Sequence, residues 1–167
     1  MSTAATKLPW QTSHEQHFIE LLLELSDEDR HVIRMARTVD ANQQVFQIFT
    51  RKVYWQLEEN ERRCIDRDAA WIFTKVFFGA ISQESDTPRL EQVVGTCARR
   101  NKAAREGLEQ ETERLIKMPR HLVMGPLSML IHSVQSKQRL FSWSSLLSDL
   151  QQWGSQPVME RWILAAL

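Results

Sequence analysis

Apolar residues recur along most of the chain at intervals of three and four positions, which is the spacing of one face of an α-helix. Ser13 and Gln16 have the spacing of a capping box, so a first helix is predicted to begin there. Ser26 and Asp29 repeat this signature and open a second helix. The stretch 69–78 is apolar nearly all round, which predicts a central, buried helix.

Two longer helices are predicted over Ala41–Leu57 and Glu61–Ile81 from their i, i+4 apolar rhythm. A polar loop follows, in which Thr87 reads as an N-cap and Pro88 as the first residue of a fifth helix. A sixth helix is expected over Leu108–Met118. This loop between the fourth and fifth helices is the best candidate for a boundary between subdomains.

Prolines punctuate the second half of the chain. Pro119 is expected to stop or kink the sixth helix, and Pro126 marks the point where the next one restarts. No segment alternates with period two over the length of a strand. We therefore predict an all-α fold, a helical bundle of about eight or nine helices in two subdomains, 13–83 and 87–167. Residues 1–12 are expected to be flexible unless they dock.

The stretch LFSWSSLLSDLQQWG contains two tryptophans, Trp143 and Trp153, whose rings could either bind a ligand or pack in the core. At about 100° per residue, an apolar stripe about 120° wide forms, and polar residues including Asp149 fall outside it. The stripe consists of Trp143, Leu146, Leu147, Leu150 and Trp153. Both rings are therefore predicted to be core, with Trp153 partly exposed at the helix end.

Composition narrows the class of protein. The 167 residues are 43% hydrophobic, enough for a real core, and 21 Lys and Arg balance 21 Asp and Glu to a net charge of +0. Any basic site must therefore be local. Cys64 and Cys97 form no framework, which suits a reducing compartment. With no apolar run of membrane-spanning length and no apolar signal core, we expect a cytoplasmic protein.

Candidate catalytic and metal motifs are weak. His14 and His17 flank Glu15 at the wrong spacing for a zinc-protease helix, which needs histidines at i and i+4. The acids 27–29 are explained by the dipole of a helix N-terminus. Cys64 and Cys97 are expected to pack on apolar faces. We therefore expect neither an enzyme nor a bound metal or cofactor.

Basic residues are segregated more than the net charge suggests. Arg99, Arg100 and Lys102 are expected at the end of the fifth helix, where the helix dipole favours cations but where they could also bind phosphate. The second helix is expected to carry its arginines on the outer side. These residues are Arg30, Arg34 and Arg37.

The C-terminal stretch also resembles a known family, the small subunit of the type I-E CRISPR Cascade complex (CasB-type). The resemblance covers roughly residues 108–164. It rests on Trp143 opening a helix, the Trp153-Gly154 pair closing it, and the upstream segment LIKMPRHLVMGPLSMLIHS. Weaker matches lie in the WIFTKVFFGA segment and in the pattern from Phe18 to Arg34.

This resemblance implies a non-catalytic, all-helical subunit of an RNA-guided antiviral complex. Its partners would be the backbone and large subunits, a second copy of itself, the guide RNA–target DNA hybrid and the displaced single-stranded DNA. It would stabilise the R-loop through phosphate contacts, because the guide reads the sequence. Arg120 matches a basic position of the family, and others fall near its basic segments. The full candidate set is Arg34, Arg99, Arg100, Lys102 and Arg120, followed by Arg30, Arg37 and Arg105.

An alternative stays open at this point. The same pattern is compatible with an all-helical adaptor or regulator that binds protein through apolar grooves and makes no contact with nucleic acid. Salt-dependent affinity for single-stranded DNA would distinguish the two classes.

Overall fold

The computed structural model describes residues 13–167, which form ten α-helices and no strand. The all-α prediction is confirmed; the predicted flexibility of residues 1–12 lies outside the described residues. The helices are α1 (His14–Leu23), α2 (Asp27–Met35), α3 (Gln43–Gln47), α4 (Glu59–Cys64), α5 (Arg67–Gly79), α6 (Leu90–Arg100), α7 (Lys102–Ile116), α8 (Met124–Gln135), α9 (Trp143–Gln151) and α10 (Gln156–Ala166). Within residues 13–167, no helix combines the length and apolarity needed to cross a membrane.

The chain divides into two compact units, the first ending at Arg67 and the second beginning at Asp68. The predicted division between residues 83 and 87 differs from this because the loop there belongs to the second unit. Gln135 Oε1 accepts a hydrogen bond from the backbone N–H of Ile81, at 2.9 Å. Further along the loop, Asp86 donates its backbone N–H to the carbonyl oxygen of Phe141 at 3.0 Å.

The first unit begins with the two predicted N-caps. Ser13 Oγ accepts from the backbone N–H of Gln16, and Ser26 Oγ accepts from that of Asp29, both at 3.1 Å. Each serine thereby satisfies a helix N–H that has no partner within the helix. Both predicted helix starts are confirmed.

The prediction of a single α-helix over residues 41–57 is wrong. After α3, the chain forms a π-helix over Ile48–Val53 and a 3₁₀ turn over Tyr54–Gln56. The i, i+5 bonding of a π-helix brings Ile48 and Val53 to the same face, and both side chains are buried. The apolar side chains of this stretch are therefore buried by a π-helix and not by a regular α-helix.

The helix predicted over residues 61–81 is likewise broken, into α4 and α5. Ile65 leaves the helical region with φ −110° and ψ 112°, and its carbonyl oxygen accepts a hydrogen bond from the Tyr54 hydroxyl at 2.9 Å. Burial, followed by the charge of Asp66, raises the pKa of this tyrosine. The carbonyl group of Ile65, at the end of α4, is therefore hydrogen-bonded by the Tyr54 side chain and not within a continuous helix.

The second unit is built around α5 and Trp143. The apolar segment of α5 from Ala69 to Phe78 is mostly buried, as predicted, and the Trp143 ring centroid lies 5.8 Å from that of Phe73 and 5.0 Å from that of Phe77. Such edge-to-face aromatic pairs add to the burial of apolar area. Trp143 is core, and Trp153 is half-buried, as the sequence predicts.

The start of α6 was predicted wrongly. Arg89, rather than Thr87, is the N-cap, and its backbone N–H donates to Gln92 Oε1 at 3.0 Å. The prediction that a helix restarts near Pro126 is confirmed, because α8 begins at Met124 and carries this proline in its first turn. A proline is tolerated there because first-turn N–H groups lack intrahelical partners.

α6 and α10 pack in unusually close contact at Gly95. A Cβ atom built on this glycine would overlap the backbone carbonyl oxygen of Ala165 in α10. The absence of a side chain at Gly95 is therefore what lets the two backbones approach. This contact helps fix the position of α6, whose C-terminal end carries part of the candidate site.

Candidate nucleic-acid interface

Four of the candidate basic residues lie around the junction between α6 and α7. α6 ends at Arg100 and α7 begins at Lys102, so Asn101 alone separates them. The prediction that Lys102 ends the fifth helix is therefore wrong, and the predicted start of the sixth helix at Leu108 is six residues late. We name Arg99, Arg100, Lys102 and Arg105 the basic corner.

Asn101 explains why the chain turns at this point. Its side-chain oxygen accepts hydrogen bonds from the backbone N–H groups of Ala103 and Ala104, at 3.1 and 3.3 Å. An asparagine in this position satisfies the first N–H groups of a new helix, which makes a sharp restart favourable. The two helices contact each other, so the junction is held by packing as well.

All four side chains of the basic corner are exposed. Arg99 donates from Nη2 to Thr96 Oγ1 at 3.4 Å, and Arg105 pairs with Glu109 at 2.9 Å one turn along α7. A solvent-exposed i, i+4 pair of this kind is weak, about 0.3–0.5 kcal/mol, so an incoming phosphate can compete for the arginine. The junction thus carries four exposed cations within seven positions of the chain.

A cleft of about 280 Å³ lies next to Arg99. Thr96, which accepts the hydrogen bond from Arg99, lines this cleft, and so does Arg139. Asp86 is the acidic residue of the lining, so the cleft is polar but not uniformly positive. Arg139 therefore adds a cation near the basic corner that sequence reasoning did not select.

The turn that positions Arg139 carries little sequence signal. Gln138 adopts a left-handed conformation with φ 60°, and Arg139 then donates its backbone N–H to the carbonyl oxygen of Val134 at 3.3 Å. Glycine or asparagine commonly occupies such a position and would have marked the end of the helix. Glutamine does not, so the turn is not evident from the sequence.

Arg30 is engaged at the end of α1 in the first unit. Its guanidinium donates from Nη2 to the carbonyl oxygen of Leu23 at 2.6 Å and from Nε to that of Leu25 at 3.1 Å. A cation at a helix C-terminus satisfies carbonyl groups and interacts favourably with the helix dipole. Arg34 and Arg37 lie on and just beyond α2 with exposed side chains.

Arg120 does not belong to the basic corner. It lies in a 3₁₀ turn over Arg120–Leu122, and its Nη1 donates to the carbonyl oxygen of Gln151 near the end of α9, at 3.4 Å. Trp153 Nε1 likewise donates a hydrogen bond to the carbonyl oxygen of Met118, at 3.1 Å. Arg120 therefore helps hold the segment after α7 against the end of α9.

Sequence reasoning also missed a buried cluster of charges in the second unit. Asp149, predicted to lie outside the apolar stripe, is only 3% exposed, and Glu91 is 2% exposed. Arg161 joins them, with Nη2 at 2.6 Å from Asp149 Oδ1 and Nη1 at 2.9 Å from Glu91 Oε2. Trp162 Nε1 donates to Asp149 Oδ2 at 3.1 Å.

The electrostatics of this cluster indicate a structural clamp. Burial, and then the charge of Asp149, raises the pKa of Glu91. The hydrogen bond to Asp149 raises the pKa of Arg161, which stays charged. Each carboxylate is buried against the guanidinium, so the cluster connects α6, α9 and α10.

The remaining reactive side chains do not form a further site within the described part of the chain. Cys97 is buried as predicted, but Cys64 is exposed, because α4 ends there instead of continuing into a buried helix. No group of three His, Cys, Asp or Glu side chains among residues 13–167 is arranged to hold a metal ion.

Neither a protein-family model nor a curated protein matches the chain. We therefore infer function from the side chains and their geometry, together with the resemblance of residues 108–164.

Proposed function

We propose that this protein is a non-catalytic small subunit of a type I-E CRISPR RNA-guided complex, where it stabilises the R-loop by contacting strand phosphates. The observation that carries the proposal is the basic corner, where exposed cations from the end of one helix and the start of the next are concentrated. Phosphate contacts need exposed Arg and Lys and no base-reading geometry.

R-loop formation has a small net free energy, so a protein that adds only a few weak contacts can affect it. The RNA–DNA hybrid is about as stable as the DNA duplex that it replaces, so a few contacts to the strand backbones can shift the balance. The net charge of +0 gives the protein no overall electrostatic attraction for DNA, so binding would depend on the basic corner. Arg99, Arg100, Lys102 and Arg105 are the residues that we propose to contact phosphate, together with Arg139 in the cleft that Thr96 also lines.

The test is the salt dependence of affinity for single-stranded DNA. Each phosphate contact contributes about −0.7 to the slope of log K against log salt for a single strand. Arg100→Glu with Lys102→Glu removes two such cations, so we expect weaker binding and a slope shallower by about 1.4. Fluorescence anisotropy over about 50–200 mM salt measures both quantities.

A matched control lies at the other end of the same helix. Arg114→Glu with Lys117→Glu makes the same change in charge roughly 18 Å along the axis of α7. Both side chains are exposed, so the fold should tolerate the change. Equal losses in the two double variants would mean that net charge, and not the corner, governs binding.

Membership of the complex needs its own experiment. We expect the chain to co-purify with the other Cascade subunits and a guide RNA, and Arg100→Glu with Lys102→Glu to shorten the R-loop lifetime without preventing assembly. A chain that never enters such a complex, even at low salt, would remove this proposal.

One observation favours the rival adaptor function. A cleft of about 450 Å³ lies against α2, and Met35, one of its lining residues, is 72% exposed. A cleft with an exposed apolar side chain at its wall offers space for an apolar side chain of a protein partner. Met35→Asp would disrupt such an interface while leaving the salt-dependent binding of DNA unchanged, which separates the two functions.

A further inference from the structure

Trp55 is an exposed indole held in a fixed position. It lies in the 3₁₀ turn after the π-helix, and 59% of its surface is exposed. The guanidinium carbon of Arg62 lies over the ring, 4.5 Å from its centroid. One face of the indole is therefore covered by a cation, and the exposed area belongs largely to the opposite face and the edges.

Arg62 is itself hydrogen-bonded to the backbone of the segment that carries the indole. Its Nη1 donates to the carbonyl oxygen of Leu57 at 2.5 Å and to that of Trp55 at 3.4 Å. These bonds fix the guanidinium against the backbone of the turn that carries the indole. A ring ordered in advance loses little conformational entropy when a flat ligand stacks on it.

The surroundings of Trp55 differ from those of an apolar protein-binding surface. Phe46 is the nearest exposed large apolar side chain in the preceding sequence, nine positions away. The exposed residues close to Trp55 in sequence are polar or charged: Arg51, Lys52, Gln56, Glu58, Glu59 and Asn60. This set holds two cations and two acids, and Lys52 pairs with Asp29 at 2.7 Å, so the setting is polar and of mixed charge. A single flat ring in a polar setting suits a nucleobase, whose backbone stays in water.

We propose that Trp55 is a stacking position for one base of a single-stranded nucleic acid. This inference rests on the proposed function and adds to it a contact with a base, distinct from the phosphate contacts of the basic corner. Stacking of this kind is tolerant of sequence, because every base has a π-face. It would therefore suit a subunit that holds a strand without reading it.

The experiment compares two labelled strands of about 12 nucleotides, one oligothymidine and one an abasic sugar–phosphate chain of equal length. We expect Trp55→Ala to weaken oligothymidine binding about 5- to 150-fold and to leave abasic binding unchanged. Trp55→Phe keeps an aromatic face and should stay close to the unchanged protein. Met35→Ala, which truncates another exposed apolar side chain, is the control for general surface effects.

The possible results separate this inference from the proposed function. If the unchanged protein binds both strands and Trp55→Ala binds oligothymidine equally well, the stacking position is refuted while phosphate binding stands. Equal losses on both strands, or an equal loss in Met35→Ala, would refute it as well. If the unchanged protein binds neither strand, the proposed function fails and the stacking position fails with it.

Discussion

Arg161→Met deletes the guanidinium that joins two buried carboxylates while keeping much of the apolar length of the side chain. Nη1 and Nη2 of Arg161 lie 2.9 Å from Glu91 and 2.6 Å from Asp149. Removing one partner of a buried ion pair costs about 3–5 kcal/mol, because the remaining charge stays desolvated. Since the Arg161 side chain is 39% exposed, we expect the lower end, about 3 kcal/mol at neutral pH.

The size of this loss should depend on pH in a defined direction. Burial and the charge of Asp149 raise the pKa of Glu91 in the folded protein, and Arg161 lowers it. A carboxyl group with a raised folded-state pKa favours folding below its unfolded pKa, and this contribution is lost as pH rises through the folded pKa. Without Arg161 the pKa of Glu91 rises further. The deficit in stability should therefore be largest at neutral pH and shrink under mildly acidic conditions.

Urea unfolding followed by tryptophan fluorescence measures the effect, because Trp162 donates directly to Asp149 in the cluster. The matched control is Arg105→Met, which breaks an exposed pair with Glu109 and should cost only about 0.3–0.5 kcal/mol. A deficit in Arg161→Met no larger than that of the control would show that the cluster does not hold the second unit together. A deficit that grows on acidification would contradict the assigned electrostatics.

Two further predictions concern backbone packing and helix ends. Gly95→Ala should destabilise the fold by about 1–3 kcal/mol, because the added methyl group meets the Ala165 carbonyl, whereas Gly107→Ala, in open space on α7, should stabilise it by about 0.5–1 kcal/mol. Thermal unfolding reports both, and a loss in the two variants alike would refute the close contact. Arg30→Ala should cost about 1 kcal/mol by freeing the carbonyls at the end of α1, and Arg37→Ala should cost close to nothing. Equal chemical-denaturation midpoints for these two variants would exclude the capping role.

Features set by neighbouring residues were predictable from the sequence. Ser13 and Ser26 cap helices through residues three positions away, so the pattern alone indicates them. The stripe containing Trp143 was predictable because burial of one helix face follows the 3.6-residue period. The all-α class follows from the same periodicity.

Features set by distant residues were not predictable. At the helix break, the carbonyl oxygen of Ile65 accepts from the Tyr54 hydroxyl, and buried Asp149 pairs with Arg161 from another helix. Arg120 was selected as a candidate phosphate ligand, yet it donates to the carbonyl oxygen of Gln151, 31 positions along the chain. Arg30 was selected as well, and it donates to carbonyl oxygens only five and seven positions back, where the chain turns from α1 into α2. A basic residue can be counted from sequence, but what its guanidinium contacts is a property of the tertiary structure.

The start of α7 places two needs of the protein in opposition. Its first turn carries Lys102 and Arg105 and no acidic residue, although the positive end of a helix dipole disfavours cations by about 0.3–1 kcal/mol each. Lys102→Glu should therefore make the isolated protein more stable and, under the proposed function, a poorer ligand for DNA. A bound phosphate would relieve the same repulsion, so the junction would be most stable when occupied. Under the proposed function, this lysine therefore lowers the stability of the free protein and contributes to binding, which is the kind of local conflict expected at a functional surface.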